Sequence, residues 1–245
     1  MNLDSLILLE SIEISGGLFK HDGDLFRRLS RLYASSSNLI SITIDNPKEM
    51  FDDVSDHGSL QELFACSPRG NPAHRLQRLS LSDIFVVDDV VVSHLSHLTS
   101  FKLLSLPYFL HSVHCCHPNH IWVAFRQASI RLEELVVELN GIDESLNDYL
   151  ASFSGLKKLK LSIPKFDSQA SSEACAAAFW SKGFPNHADT LQEFTLNAFE
   201  DGSWCFGRDN CSLIARCSRL EQLTLSFLPV YPVDPDFNNL VSSFV

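Results

Sequence analysis

The stretch Leu220-Glu221-Gln222-Leu223-Thr224-Leu225 decides the fold of this chain, because the same arrangement of residue types occurs eight times. The arrangement, called the repeat motif below, is apolar, any, polar, apolar, polar, apolar, and its positions are numbered 1 to 6. The copies start at Leu9, Leu39, Leu76, Leu98, Leu132, Leu156, Leu191 and Leu220. The alternation of polar and apolar residues over positions 3 to 6 is typical of a β-strand with one buried face.

The polar positions distinguish the motif from chance. Apolar residues at positions 1, 4 and 6 alone should occur roughly nine times in a chain of this composition. Position 3 is polar in all eight copies, and position 5 is polar in all but the copy that contains Val136. Requiring polar residues at both position 3 and position 5 lowers the number of copies expected by chance to roughly two or three, whereas seven such copies are present. Successive copies start 22 to 37 residues apart, which leaves room for a strand, a loop and a helix.

The segments between the copies predict helices, because six of them have the apolar spacing of a helix with one buried side. They are Asp24–Tyr33, Asp88–Leu95, His120–Ile130, Glu144–Phe153, Glu173–Lys182 and Cys211–Cys217. Asp143 and Ser172 directly precede two of these segments and belong to the residue types that cap helix N-termini. Strands and helices that alternate at a period near 30 residues predict an α/β solenoid with parallel strands.

Composition narrows the classes of function. The net charge of −11 disfavours nonspecific binding to nucleic acid and attraction to anionic membranes. No stretch has the length of a membrane span, and residues 1–10 do not have the features of a signal peptide. The seven cysteines form no disulfide framework, which favours reduced thiols in the cytoplasm or nucleus. No linker divides the chain, so we expect a single domain over residues 1–245.

Three motif copies with their flanking residues resemble leucine-rich repeats, namely Ser37–Ile44, Phe153–Leu161 and Cys217–Leu225. The long repeats resemble the ribonuclease-inhibitor-like subclass. That resemblance implies a horseshoe of about eight irregular repeats, with parallel strands on its concave face and helices on its convex face. Only Asn140 occupies the position of the family's asparagine, which bonds backbone groups of neighbouring turns, so the other turns must satisfy their backbone differently.

Residues 179–207 are similar to fungal F-box/leucine-rich-repeat proteins, although no F-box is visible. This similarity implies that the chain is the substrate-binding part of an F-box-type ubiquitin-ligase adaptor. The first copy of the motif starts at Leu9 and the last ends at Leu225, with no polar capping segment at either end. We therefore expect the chain to be a fragment of a longer solenoid.

The polar motif positions predict a binding surface. Positions 3 and 5 point away from the core, so they would form the concave surface. The residues of this surface that we expect to contact a partner are Arg78, Lys102, Glu134, Lys158, Lys160 and Glu193. The basic middle of this surface, on an acidic protein, favours an acidic peptide or a degradation substrate as partner. The alternative is a solvated face that binds nothing, because it has no aromatic anchor.

A cluster within residues 111–120 is a possible metal site. It contains His111, His114, Cys115, Cys116, His117 and His120. Imidazole and thiolate groups ligate zinc, but their spacing here matches no recognised zinc motif. His94 and His97 lie near Ser93 and Asp88 without a nucleophile-elbow pattern, and no phosphate-binding loop is present. We expect a non-catalytic protein without a cofactor. The alternatives are an enzyme or metal protein that uses the cluster, and a vestigial fragment without activity.

Overall fold

Every copy of the repeat motif forms a β-strand that starts at motif position 3, as seen in a computed structural model of the chain. The structure describes residues 9–15, 23–45, 58–66, 75–82, 85–86, 89–104, 119–138, 142–163, 166, 168–198 and 202–227. The motif strands are β1 (Ser11–Ser15), β2 (Ser41–Asp45), β4 (Arg78–Ser82), β6 (Ser100–Leu104), β7 (Glu134–Glu138), β8 (Lys158–Ile163), β9 (Glu193–Ala198) and β10 (Gln222–Leu225). Two further strands, β3 (Gly58–Ser59) and β5 (Phe85–Val86), pair with each other.

The chain divides into two compact units, Met1–Leu132 and Glu133–Val245, and each contains four motif strands. In the first unit the strands pair in the order β1, β2, β4, β6, and every pair is parallel. In the second unit the order is β7, β8, β9, β10, again with parallel pairs only. Each sheet therefore follows the order of the chain, and the α/β class with eight parallel motif strands is confirmed. The horseshoe and the single domain stay predictions.

Helices lie between the motif strands. They are α1 (Gly23–Ser35), α2 (Leu60–Phe64), α3 (Asp89–Val92), α4 (Asn119–Gln127), α5 (Glu144–Ala151), α6 (Gln169–Ala178) and α7 (Arg208–Ile214). All but α2 lie close to where the apolar spacing predicts them. The Asp143 carboxylate accepts a hydrogen bond from Leu146 N at 2.9 Å, which confirms the predicted cap of α5. The prediction of Ser172 as a cap is wrong, because α6 starts earlier and Ser168 caps it. A π-helical turn and a 3-10 turn extend α6 to His187.

One backbone carbonyl in six of the eight repeats aligns the next strand. The carbonyl at motif position 2 accepts hydrogen bonds from two N–H groups of the following repeat, those of positions 2 and 3. Glu133 O, for example, accepts from Lys157 N at 2.7 Å and from Lys158 N at 3.0 Å. The carbonyls that accept two bonds in this way belong to Glu10, Ile40 and Gln77 in the first unit, and to Glu133, Lys157 and Gln192 in the second. Equal motif positions therefore stay side by side although the repeats differ in length.

The core of each unit consists of the apolar motif residues and aromatic residues of the helices. In the second unit, β8 buries its own residues Leu159 and Leu161. The rings of Phe179 and Phe194 stack with their centroids 6.4 Å apart. Trp204 and Phe206 are also buried. In the first unit the rings of Phe101, Trp122 and Phe125 pack edge to face. Each fully buried side chain of this size stabilises the fold by about 1.5–3 kcal/mol.

Ser129 has a φ of 56°, the one positive φ outside glycine among the described residues. It lies two residues after the end of α4, where Ile130 N donates to Phe125 O at 3.0 Å and closes the helix end. A left-handed conformation at this position is typical of glycine, because a Cβ atom is strained there.

We expect Ser129→Gly to raise the free energy of unfolding by up to about 1 kcal/mol, because it removes this strain. The matched control is Ser212→Gly at an exposed position inside α7, where glycine should lower the free energy by about 1 kcal/mol. Urea unfolding followed by circular dichroism measures both changes. A loss of stability in Ser129→Gly equal to that of the control would contradict the argument.

Candidate functional site

Polar residues of neighbouring strands form rows on one face of each sheet. In the second unit, Glu134 lies beside Lys158, and Lys158 lies beside Glu193. Position 5 forms a parallel row in which Lys160 lies beside Thr195. We call the residues at positions 3 and 5 of β7 to β10 the second polar face, and those of β1, β2, β4 and β6 the first polar face. Because neighbouring strands lie about 4.8 Å apart, adjacent side chains in a row can contact the same ligand.

The lysines of the second polar face are both ion-paired. Lys158 Nζ pairs with Glu193 Oε2 in the adjacent strand. Lys160 Nζ lies 3.4 Å from Glu138 Oε1, a residue two positions beyond the motif row on β7. With Glu134, this surface therefore presents three carboxylates and two ammonium groups. The basic centre predicted around Lys158 and Lys160 is a surface of mixed charge in this unit.

The cations of the first polar face have hydroxyl neighbours instead. Arg78 on β4 and Lys102 on β6 are both exposed. The register places Arg78 beside Ser100 and Ser80 beside Lys102, so the two cations occupy opposite corners of a four-residue square. Diagonal neighbours of a sheet are about 7–8 Å apart, within reach of long side chains. Ser100 is buried, whereas the exposed guanidinium and ammonium groups can both donate hydrogen bonds to one acidic ligand.

His187 joins two repeats of the second unit from the buried side. Its Nδ1 accepts a hydrogen bond from Leu156 N at 3.4 Å, and its Nε2 lies 3.1 Å from Leu150 O. The ring is fully buried, and burial lowers the pKa of His187 from 6.5 to about 4. The imidazole is therefore neutral at pH 7, and because Nδ1 accepts, Nε2 carries the proton and donates it to Leu150 O.

Two neighbours of His187 complete this connection. Thr190 Oγ1 donates to Leu156 O at 2.8 Å, and Asn186 Nδ2 donates to Ala151 O at 2.8 Å. These three side chains satisfy the backbone of the turn that leads into β8.

The other candidates from the sequence are only partly visible. Residues 111–118 of the His/Cys cluster lie outside the described residues, and for His120 only its place in α4 is described. Within the described segments, no group of three His, Cys, Asp or Glu residues could hold a metal ion. His94 is buried, and its ring stacks on Phe64 with centroids 5.0 Å apart, which is a packing role. A metal site at residues 111–120 stays an alternative to the non-catalytic protein that we expect.

Sequence reasoning missed Glu138 and His187. Glu138 lies at the position directly after the motif, on the same face of β7 as Glu134, so extending the motif by one position would have found it. No sequence pattern predicts the role of His187, because its contacts are with backbone groups more than 30 residues away in the chain. Among the described helices, none is long and apolar enough to cross a membrane.

We expect the pair Lys158–Glu193 to contribute less than about 1 kcal/mol to stability, because both side chains are partly exposed to water. A double-mutant cycle of Lys158→Met and Glu193→Gln, measured by urea unfolding, gives the coupling free energy. High salt should reduce it further. A coupling above about 2 kcal/mol would mean that the pair is held in a far less solvated site than its exposure indicates.

The buried His187 should make stability depend on pH. Its pKa is about 4 in the folded chain and 6.5 in the unfolded chain, so between these values the unfolded state binds the extra proton. The free energy of unfolding should therefore fall as the pH decreases from 6.5 towards 4, by up to roughly 3 kcal/mol from this residue.

The control for this pH dependence is His187→Gln, which cannot titrate in this range. Urea unfolding of both proteins at several pH values between about 4.5 and 7.5 separates His187 from the carboxylates, which titrate in both. We expect a shallower slope in the variant, whatever its stability at pH 7. Equal slopes would show that His187 is not buried as a neutral group.

The repeat motif and the strands that it forms are the features by which this chain can be compared with known proteins. The motif strands and their register define an α/β fold with two polar faces. On the first polar face, the cations lie beside serines. Neither a protein-family model nor a curated protein matches the chain.

Proposed function

We propose that this chain is a non-catalytic protein-recognition scaffold of the leucine-rich-repeat type, and that its polar faces bind a protein partner. The observation that carries the proposal is the register, which places polar side chains of consecutive repeats side by side. Rows of polar residues that run across several strands suit an extended or helical segment of another protein better than a small molecule, for which pockets are the usual sites.

The partner segment is acidic and binds the first polar face at Arg78 and Lys102. On the second polar face a carboxylate of the partner would have to compete with Glu193 for Lys158 and with Glu138 for Lys160. On the first, the register neighbours of Arg78 and Lys102 within the unit are serines, so no carboxylate beside them in the register competes with that of the partner. Charges at such a surface mainly set specificity and the rate of association.

The specific role that the resemblance suggests is the substrate-binding part of an F-box-type ubiquitin-ligase adaptor in the cytoplasm or nucleus. In that role the acidic segment belongs to a degradation substrate. This part of the proposal rests on the residues similar to fungal F-box/leucine-rich-repeat proteins and on no contact in the structure.

A peptide-display selection against the whole chain tests the proposal. We expect the selected peptides to be enriched in Asp and Glu, and the double variant Arg78→Glu/Lys102→Glu to weaken their binding by at least about tenfold in fluorescence anisotropy. The variant Lys158→Glu/Lys160→Glu should weaken binding less, because those lysines are already paired within the sheet.

The control variant is Lys157→Glu, a single charge reversal of the same kind at motif position 2, outside the polar rows. Circular dichroism establishes that each variant is folded. Peptides without acidic enrichment, or equal binding by the wild type and Arg78→Glu/Lys102→Glu, would overturn the acidic partner. Failure to select any peptide from several libraries would favour the solvated face that binds nothing.

A further inference from the structure

The last described strand, β10, exposes Leu223 and leaves Leu225 half-buried, although its repeat motif assigns both side chains to the core. At motif position 4, Leu135, Leu159 and Phe194 are at most 1% exposed, whereas Leu223 is 41% exposed. Phe227, two residues beyond the end of β10, is 52% exposed. These two are the exposed large apolar residues of the described part of the chain. An apolar strip at a sheet edge is unfavourable in water and marks a site of association.

The backbone of β10 also has an outward-facing edge. Gln222 N donates to Gln192 O and Ser226 N donates to Leu196 O, so the groups of these residues point towards β9. Because successive residues of a strand point their N–H and C=O groups to opposite sides, those of Leu223 and Leu225 point away from β9. Among the described residues, β9 is the only strand that pairs with β10. Its residues 222–226 include no charge and no proline, the usual protections of an edge strand.

We propose that β10 pairs edge to edge with β10 of a second copy of this chain. A two-fold axis between two copies makes the strands antiparallel. The register centred on Thr224 uses all the outward-facing groups of β10, because Leu223 of each copy then lies opposite Leu225 of the other and exchanges two hydrogen bonds with it.

This register also matches the side chains face by face. Directly opposite residues of an antiparallel pair lie on the same face of the sheet. Leu223 therefore contacts Leu225 across the axis on the apolar face, while Thr224 meets its own copy and Gln222 meets Ser226 on the polar face. No like charges face each other, so a second copy fits the edge without repulsion. The self-association is independent of the acidic partner proposed above.

Sedimentation velocity of the whole chain between about 1 and about 100 μM tests the pairing. We expect a dimer that dissociates on dilution. Thr224→Lys places two ammonium groups opposite each other at the axis, and it should raise the dissociation constant at least about tenfold. The matched control is Thr195→Lys, which adds the same charge at motif position 5 of the inner strand β9 and should leave the dissociation constant unchanged.

Hydrogen exchange provides a second measurement that needs no variant. The amides of Leu223 and Leu225 should exchange more slowly as the protein concentration rises, whereas Ser226 N, which already bonds to Leu196 O, should not change. A chain that is monomeric over the whole range would overturn the proposal. Protection of Leu223 and Leu225 at every concentration would also overturn it, since it would mean that the edge is covered within one copy.

Discussion

The carbonyl at motif position 2, which accepts two N–H groups of the following repeat, is the constraint on which the rest of the structure depends. It is a backbone interaction, so it works equally with Glu10, Ile40 or Gln77 at that position. A shift of one residue would turn every apolar side chain of a strand to the wrong face. By holding the register, this bond keeps the core residues together and, on the opposite side, keeps the polar residues in rows.

The strands could be predicted from the sequence because their signal is local. Alternation of apolar and polar residues identifies both the strand and its buried face, and every motif strand starts where the alternation starts. The helix boundaries were predicted less well, because their capping signals are ambiguous. Ser168 and Ser172 are the same residue type, and only the structure shows that Ser168 accepts the bond from Ser171 N. Gly207, which precedes α7, has no side chain and gave no signal for its start.

The charges of the candidate site could be predicted only in part. Once consecutive motif copies are aligned, Lys158 and Glu193 are neighbours, so this pair can be predicted from the sequence. The pair Lys160–Glu138 is not, because it joins unequal motif positions diagonally across two strands. The contacts of His187 depend on how two turns of consecutive repeats approach each other, which no local pattern describes. The two ion pairs distinguish Lys158 and Lys160, which face carboxylates, from the predicted cations that lie beside serines.

The variation in repeat length has a consequence for how such a chain can evolve. Because each register contact needs only one carbonyl and two amide groups, the residues between two strands can grow or shrink without displacing the strands. Duplication of one whole repeat would widen a sheet by one strand spacing, about 4.8 Å, and leave every other strand aligned. The polar face of such a protein can therefore change its width in discrete steps, each with its own new pair of polar side chains.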